Sequence, residues 1–335
     1  MNKISIFMMT IFCLNAYSED TKSNDDASVK TSQSSSRLRS LNFIPELGDI
    51  LFNASSVNSS STATVNSLLS TELYTQTSSS DKKNLAITIG LHDRFSIYAL
   101  KSTESTKYDV DYTSPSITDS SFENKGSTDP IYGINFRIYK ADKATGTNID
   151  LNLSMSAKAG KATSSSETSG GESVDGNSYR GGDLNTATLI ISKSDESVES
   201  RYYLKYESYS MQEKYDVIDD DLATTTAFTA LSFGSDFQAN LGTRVSLLGG
   251  FSFGAIGERK STTTSSESVT DTVGTVGVNI GLKFRIADSL ILSGKYERMN
   301  ALDYNFDVVS GGNSTTYIAK DSTASGVVVS LDFLL

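Results

Sequence analysis

The chain contains few residues that could perform catalysis, and its only histidine is the clearest of them. His92 stands beside Asp93, and a histidine near a serine or an aspartate can act as the general base of a hydrolase. This pair falls in a predicted two-residue turn between strands, where a base is hard to hold against a strand-borne nucleophile. The sequence also has no metal-binding spacing and no Gly-rich phosphate loop. We therefore predict that the protein is not an enzyme and uses no cofactor.

The first eighteen residues form a unit of their own. A basic residue begins it, an apolar run continues to Leu14, and small residues suit cleavage after Ser18. We interpret residues 1–18 as a secretory signal peptide. The only cysteine, Cys13, lies inside this unit, so the exported protein is expected to have no disulfide and no thiol nucleophile.

Charge and composition separate the next part of the chain from the rest. The net charge of −11 and the pI near 4.7 make nucleic acid an unfavourable partner, because its phosphates would be repelled. Residues 19–61 are rich in Ser, Asn and Asp, and we predict a polar, largely disordered leader. Residues 41–52 are more apolar. They either dock on the following domain as a plug or form a weakly ordered linker.

From residue 62 to residue 335 the hydropathy alternates with a period of two, which is typical of strands with different environments on their two faces. From Ile149 to Ala157, for example, apolar residues occupy every second position. About twelve such segments follow one another. Tight turns, such as His92-Asp93 and Ala287-Asp288, alternate with long polar excursions, and this arrangement is expected of a barrel in an outer membrane.

The two faces of these strands differ in charge. One face carries charged residues at mid-strand, and the other is almost free of charge over about 9 to 11 residues, the length of a tilted membrane strand. A soluble sandwich is the alternative, because its strands also alternate. In a membrane barrel the charged face lines the lumen. The predicted lumen-lining residues are Arg137, Asp150, Lys158, Arg201, Lys205, Glu207, Arg244, Lys283, Arg285, Lys295 and Glu297.

Two hairpin segments and the C-terminal strand carry a resemblance to known proteins. GLHDRFSIYA (Gly90 to Ala99) and FRIADSLILSGKY (Phe284 to Tyr296) resemble the strand, tight turn, strand hairpins of porin-like bacterial outer-membrane β-barrels. The last ten residues, which end at Leu335, resemble the strand that barrel-assembly machinery recognises. The resemblance implies an antiparallel, up-and-down transmembrane β-barrel over residues 62–335. It implies short periplasmic turns, long extracellular loops, and outer-membrane lipid and the assembly machinery as partners.

The predicted function is a porin-like channel that passes small polar solutes by diffusion. With Glu258 and Asp332 added, the assigned inward faces carry about eight basic against about five acidic residues, which favours anions where wall charge sets selectivity. Alternatively, pairs such as Lys205 with Glu207 and Lys295 with Glu297 stiffen the wall. Inward glycines either leave room for solutes or ease strand curvature. A structural or adhesive surface barrel with little conductance is the other candidate, and an autotransporter translocator is disfavoured by the short region before the barrel.

Overall fold

The computed structural model describes residues 40–41, 43–69, 71–141, 146–156, 161–169, 172–195, 197–215, 223–262 and 266–335. Within these ranges, the strands but not the side chains are described for residues 161–169, 172–181, 211–215 and 223–224. The predicted signal peptide, Cys13, the leader up to residue 39 and Lys158 lie outside the described residues.

Regular structure in the described ranges consists of seventeen β-strand segments. They are β1 (Ile50–Ser67), β2 (Glu72–His92), β3 (Phe95–Tyr112), β4 (Ser120–Ser127), β5 (Ile131–Tyr139), β6 (Thr147–Ser156), β7 (Lys161–Ser169), β8 (Glu172–Ser194), β9 (Val198–Tyr215), β10 (Ala223–Asn240), β11 (Val245–Ile256), β12 (Arg259–Thr262), β13 (Ser266–Thr270), β14 (Val273–Ala287), β15 (Leu290–Ala301), β16 (Tyr304–Ser310) and β17 (Asn313–Leu334). No helix among the described residues is long and apolar enough to cross a membrane.

These segments form one closed antiparallel barrel of twelve strands. Five barrel strands consist of two segments each, namely β4 with β5, β6 with β7, β11 with β12, β13 with β14, and β15 with β16. The barrel closes because β1 pairs with β2 on one side and with β17 on the other. The prediction of an antiparallel barrel of about twelve strands is confirmed.

The first barrel strand begins earlier than the sequence pattern indicates. β1 starts at Ile50, whereas we predicted a barrel from residue 62 and a leader up to residue 61. The start of this strand cannot be recognised from the sequence, because the hydroxyl-rich stretch Ser55 to Ser61 shows no alternation of hydropathy. Its backbone nevertheless pairs on both sides, as Ser55 does with Asn84 of β2 and Ser330 of β17.

A belt of exposed apolar side chains surrounds the barrel. In β14, Val278 and Ile280 are 56% and 59% exposed, whereas the inward Lys283 is 1% exposed. An apolar surface of this extent is unfavourable in water and is what the hydrocarbon of a bilayer requires. Every barrel strand contributes to the belt, for example through Phe52, Leu85, Ile97, Phe136, Leu153, Leu189, Leu204, Phe233, Phe251, Ile280, Tyr296 and Val329.

The two ends of the barrel differ in how the strands are connected. At one end, which we call the turn end, short turns such as residues 93–94 and 288–289 lie close to Ile50 and Leu334. At the opposite, hairpin end, most of the polar excursions predicted as long loops are paired β-strands that extend beyond the belt. The β7–β8 hairpin is one example, because β7 pairs with β8 from Lys161 to Ser169.

The hairpin end has an apolar interior. Val65, Val110, Phe306 and Val308 are at most 5% exposed and pack with Tyr74 and Ala319 in one cluster. A smaller cluster contains Ala230, Ile256 and Val273.

A basic group is buried within the same end of the barrel. Arg259 of β12 is 3% exposed, and burial lowers its pKa to about 10, although the adjacent Tyr304 opposes this. Burial also raises the pKa of Tyr304. Around Arg259 and Tyr304, the interior of the hairpin end is therefore a packed core and not an open vestibule.

Candidate functional site

Two buried ion pairs cross between neighbouring strands inside the belt. Arg137 of β5 lies directly opposite Asp150 of β6, and its Nε and Nη2 donate to the two carboxylate oxygens at 2.7 and 3.1 Å. Arg201 of β9 is opposite Asp236 of β10, and its Nε and Nη2 donate to Asp236 Oδ2 at 3.0 and 2.9 Å. All four side chains are less than 10% exposed, so these charges are held in pairs away from bulk water.

Further polar groups extend this network around the interior. Asn279 Nδ2 donates to Asp236 Oδ1 at 3.1 Å, and Lys283 Nζ donates to Gln238 Oε1 at 3.2 Å. On the opposite wall, Asn152 donates to Asn135 Oδ1 at 2.6 Å. Since a buried polar group without a partner costs free energy, such a network fixes its members in place.

The two pairs predicted within single strands are also formed. Lys205 Nζ lies 2.9 Å from Glu207 Oε1, and Lys295 Nζ lies 2.6 Å from Glu297 Oε1. The wall therefore carries bound pairs of opposite charge at these positions.

Two of the predicted lining residues lie elsewhere. Arg244 is exposed in the turn between β10 and β11, because the strand begins one residue later, at Val245, than the alternation suggests. Arg285 lies at the rim of the turn end, where its Nη2 bonds the Asp288 carboxylate. Both residues therefore sit at the entrance and not along the wall.

Some interior residues were missed by the sequence reasoning. In β10, Asp236 and Gln238 alternate with the outward Phe233 and Phe237. This alternation indicates inward positions for the two polar residues, but only weakly. Glu199, which is 8% exposed at the start of β9, had no such signal.

A cavity of about 170 Å³ lies inside the barrel, next to the buried pairs. Its polar lining includes Asn152, Tyr203, Lys205 and Glu207, and its apolar lining includes Leu100 and Met299. The cavity can hold water or one small molecule that combines an apolar part with hydrogen-bonding groups.

The inward glycines accommodate neighbouring side chains. A Cβ at Gly133 would lie 2.2 Å from the ring of Tyr98, and one at Gly250 would lie 2.4 Å from Asp236 Oδ1. These glycines therefore provide space for the aromatic ring and the carboxylate of adjacent strands, and that space is already filled.

The chain before β1 crosses the turn end of the barrel. Residues 40–49, called the mouth segment here, are described except for Asn42. Phe43 is 1% exposed and packs against the inward side chains of Leu51, Ile291 and Leu334. Glu46 forms an ion pair with Lys140 at 3.0 Å.

The start of the mouth segment is bound to the opposite wall. The Ser40 hydroxyl and the Leu41 amide donate to Glu199 Oε2 at 2.7 and 2.8 Å. β9 is the seventh of twelve barrel strands and β1 is the first, so the segment spans the full width of the mouth.

His92 lies where the sequence places it, at the end of β2 beside the turn. It is exposed, and its Nδ1 accepts a hydrogen bond from the Arg94 amide at 3.3 Å. This contact gives the histidine a role in the turn.

The fold is that of bacterial outer-membrane β-barrels. The translocator domain of the autotransporter NalP from Neisseria meningitidis superposes with a TM-score of 0.52 at 9% identity, over 85% of this chain and 88% of that one. An outer membrane channel from Pseudomonas putida F1 gives 0.52 at 11% identity, over 87% and 97%. The transport unit of the autotransporter AIDA-I from Escherichia coli gives 0.52 at 12%, over 84% and 89%. No family model and no curated protein matches the sequence.

Proposed function

We propose that this protein is an outer-membrane channel that lets small polar solutes diffuse through the barrel without chemical change. The observation that carries the proposal is the interior cavity of about 170 Å³, enclosed by a lipid-facing belt. Passage through a membrane needs a hydrated space, and hydroxyl, amide and charged groups on its wall replace part of a solute's lost water contacts. The fold shared with an outer membrane channel is consistent with this role.

The orientation follows the usual rule for such barrels. The turn end faces the periplasm and the hairpin end faces outside, because short turns are periplasmic in outer-membrane barrels. We also propose that assembly machinery reads β17, in which Val327, Val329, Leu331 and Phe333 are exposed on the outside. Heat-modifiable gel mobility of the outer-membrane fraction tests this location, and recovery only from the soluble fraction would contradict it.

Conductance measures the proposed activity directly. We expect purified, folded protein to give discrete steps in a planar bilayer. We expect these steps to be small or infrequent, because the mouth segment crosses one entrance and apolar side chains pack the interior at the other. The same sample unfolded by heat is the control. If the folded protein inserts but its current never exceeds the baseline of the control, the channel function is refuted.

Selectivity for anions is expected to be weak. Arg137, Arg201, Lys205 and Lys295 each contact a carboxylate, so their charges are neutralised in place. The charge that remains near the path is therefore much smaller than the excess of basic residues that the sequence indicates.

A structural or adhesive surface barrel is the second candidate. The hairpin end favours it, because strands such as β2, β3 and β17 continue well beyond the belt and enclose a packed apolar core. Such a rigid, hydroxyl-rich extension could present a surface to other molecules. Adhesion of cells that display the protein, together with an absence of conductance in the bilayer assay, would favour this candidate over the channel.

A further inference from the structure

The mouth segment is anchored at its junction with β1. The Asp49 amide donates to the Glu46 carbonyl at 2.9 Å, and the Glu46 amide donates to Asp49 Oδ2 at 2.8 Å, which closes a tight turn. Gly48, with φ of +90°, supplies the left-handed backbone that this turn needs. Gly90 of β2 holds the turn through two backbone hydrogen bonds, to Gly48 and Asp49. This end cannot move without breaking the start of the barrel wall.

The other end is held by side-chain contacts. Glu199 accepts both hydrogen bonds from Ser40 and Leu41, and it belongs to a strand on the far side of the mouth. Hydrogen bonds to a charged acceptor are stronger than neutral ones, but they can be exchanged for water. Between the two ends, Phe43 occupies an apolar pocket formed by three barrel strands.

We infer that the mouth segment forms a tethered gate over the periplasmic mouth, with its fixed end at the turn of residues 46–49, its apolar anchor at Phe43 and its latch at Glu199. This inference rests on the proposed channel function. Release of Ser40 and Leu41 from Glu199 lets the segment leave the lumen while the turn at residues 46–49 keeps it tethered. The gate sets how often the mouth is open, whereas the cavity wall determines what passes.

Thiol accessibility tests the latch without reference to conductance. Ser192 is fully buried and pairs with Arg201, which lies two residues from Glu199 on β9, so Ser192→Cys places a reporter in the closed interior near the latch. The native chain has one cysteine, Cys13, which is replaced by serine in all samples. In Glu199→Ala, we expect a membrane-impermeant, sulfonated maleimide to label this cysteine about tenfold faster or more, because charge-assisted hydrogen bonds are lost.

Two further variants calibrate that result. Glu199→Gln keeps an acceptor but loses the charge, so its labelling rate should fall between wild type and Glu199→Ala. Asp195→Asn removes a carboxylate from the adjacent turn, where Asp195 is exposed, and should leave the rate unchanged. Equal rates in wild type and both Glu199 variants would overturn the latch.

Conductance tests the apolar anchor. Phe43→Ala should increase the fraction of time spent open, because the ring leaves its pocket empty. Leu47→Ala is the matched control, since Leu47 belongs to the same segment and is 71% exposed. Heat-modifiable mobility confirms that each variant is folded. If wild type conducts and Phe43→Ala and Glu199→Ala open no more often, the gate is refuted.

A reversible tether closes the gate without removing any packing from the anchor. In Ser40→Cys with Glu199→Cys, a short bifunctional methanethiosulfonate should hold the segment across the mouth and suppress openings, and a reductant should restore them. Openings that persist in the tethered protein would overturn the gate. If labelling rates change as expected but no sample conducts, release of the mouth segment from Glu199 is supported and the channel function is refuted.

Discussion

The belt region and the hairpin end of this barrel are built by the same strands with opposite distributions of polarity. Within the belt, apolar residues such as Ile280 face outward and ionised residues such as Arg137 face inward. Beyond the belt, Phe306 and Val308 face inward and are at most 5% exposed, while polar side chains such as Ser60 and Asn305 are exposed on the outside. This contrast shows that the surrounding solvent, lipid in one region and water in the other, determines which face of a strand is apolar.

The largest expected effect in this comparison concerns a buried charge in the belt region. Arg137→Ala leaves Asp150 buried without its partner, and we expect a loss of about 3 to 5 kcal/mol in the free energy of unfolding. Urea titration followed by gel mobility measures it. Arg244→Ala, which removes an exposed arginine from a turn, should cost almost nothing. Equal losses in both variants would show that the interior pair is not the source of stability.

An arginine on the lipid-facing surface should be the next most destabilising change. Ile280→Arg places a charge among exposed apolar side chains and should cost about 2 to 4 kcal/mol if it lies near the bilayer midplane. Ser60→Arg also faces outward, on the part of β1 beyond the belt, and should be nearly neutral. The measurement is refolding into lipid vesicles over a urea series. Similar costs at the two positions would mean that the belt does not mark the membrane.

Two adjacent valines in β16 compare the inside and outside of the hairpin end. Val308 is 5% exposed and Val309 is 37% exposed. Val308→Thr buries a hydroxyl in the apolar cluster and should cost about 1 to 3 kcal/mol, whereas Val309→Thr should cost much less. Thermal unfolding of the two variants gives the difference. Destabilisation by Val309→Thr alone would reverse the assigned faces.

The smallest expected effect is on ion selectivity. Wild type should show only a small reversal potential in a salt gradient, because Arg137 and Arg285 are bound to the carboxylates of Asp150 and Asp288 in the folded protein. The triple variant Arg137→Ala, Lys283→Ala, Arg285→Ala frees these carboxylates and should shift the potential slightly toward cation preference. A strong anion preference in wild type that disappears in the triple variant would instead identify the basic residues as the selectivity determinant.

The sequence predicts the belt region well because its physical signal is local. In β6 and β14, lipid and lumen impose opposite polarity on consecutive residues, and the alternation can be read directly. The start of β1 lacks this signal because five of the seven residues from Ser55 to Ser61 are serines, on both faces, so backbone pairing alone defines that part of the strand.

The candidate site was less predictable because it depends on register and on distant contacts. The basic residue Arg201 was identified as inward from its own strand, but its pairing with Asp236 requires the alignment of β9 with β10. The contact between Leu41 and Glu199 joins residues 158 positions apart, and no short-range pattern encodes it. Local alternation therefore predicts whether a residue faces the lipid or the lumen. Its contact partners can be identified only from the closed barrel.

The pairing of β1 with β17 also has a consequence for the kinetics of folding. The Leu335 amide donates to the Ile50 carbonyl and the Ile50 amide donates to the Leu335 carbonyl, so the first and last described parts of the barrel meet. Loop-closure entropy opposes contacts between positions so far apart in sequence, and such contacts form late and slowly. Until they form, two strand edges with unpaired amides and carbonyls would face hydrocarbon, where nothing can satisfy them. Insertion of this chain into a bilayer is therefore coupled to the arrival of its final strand.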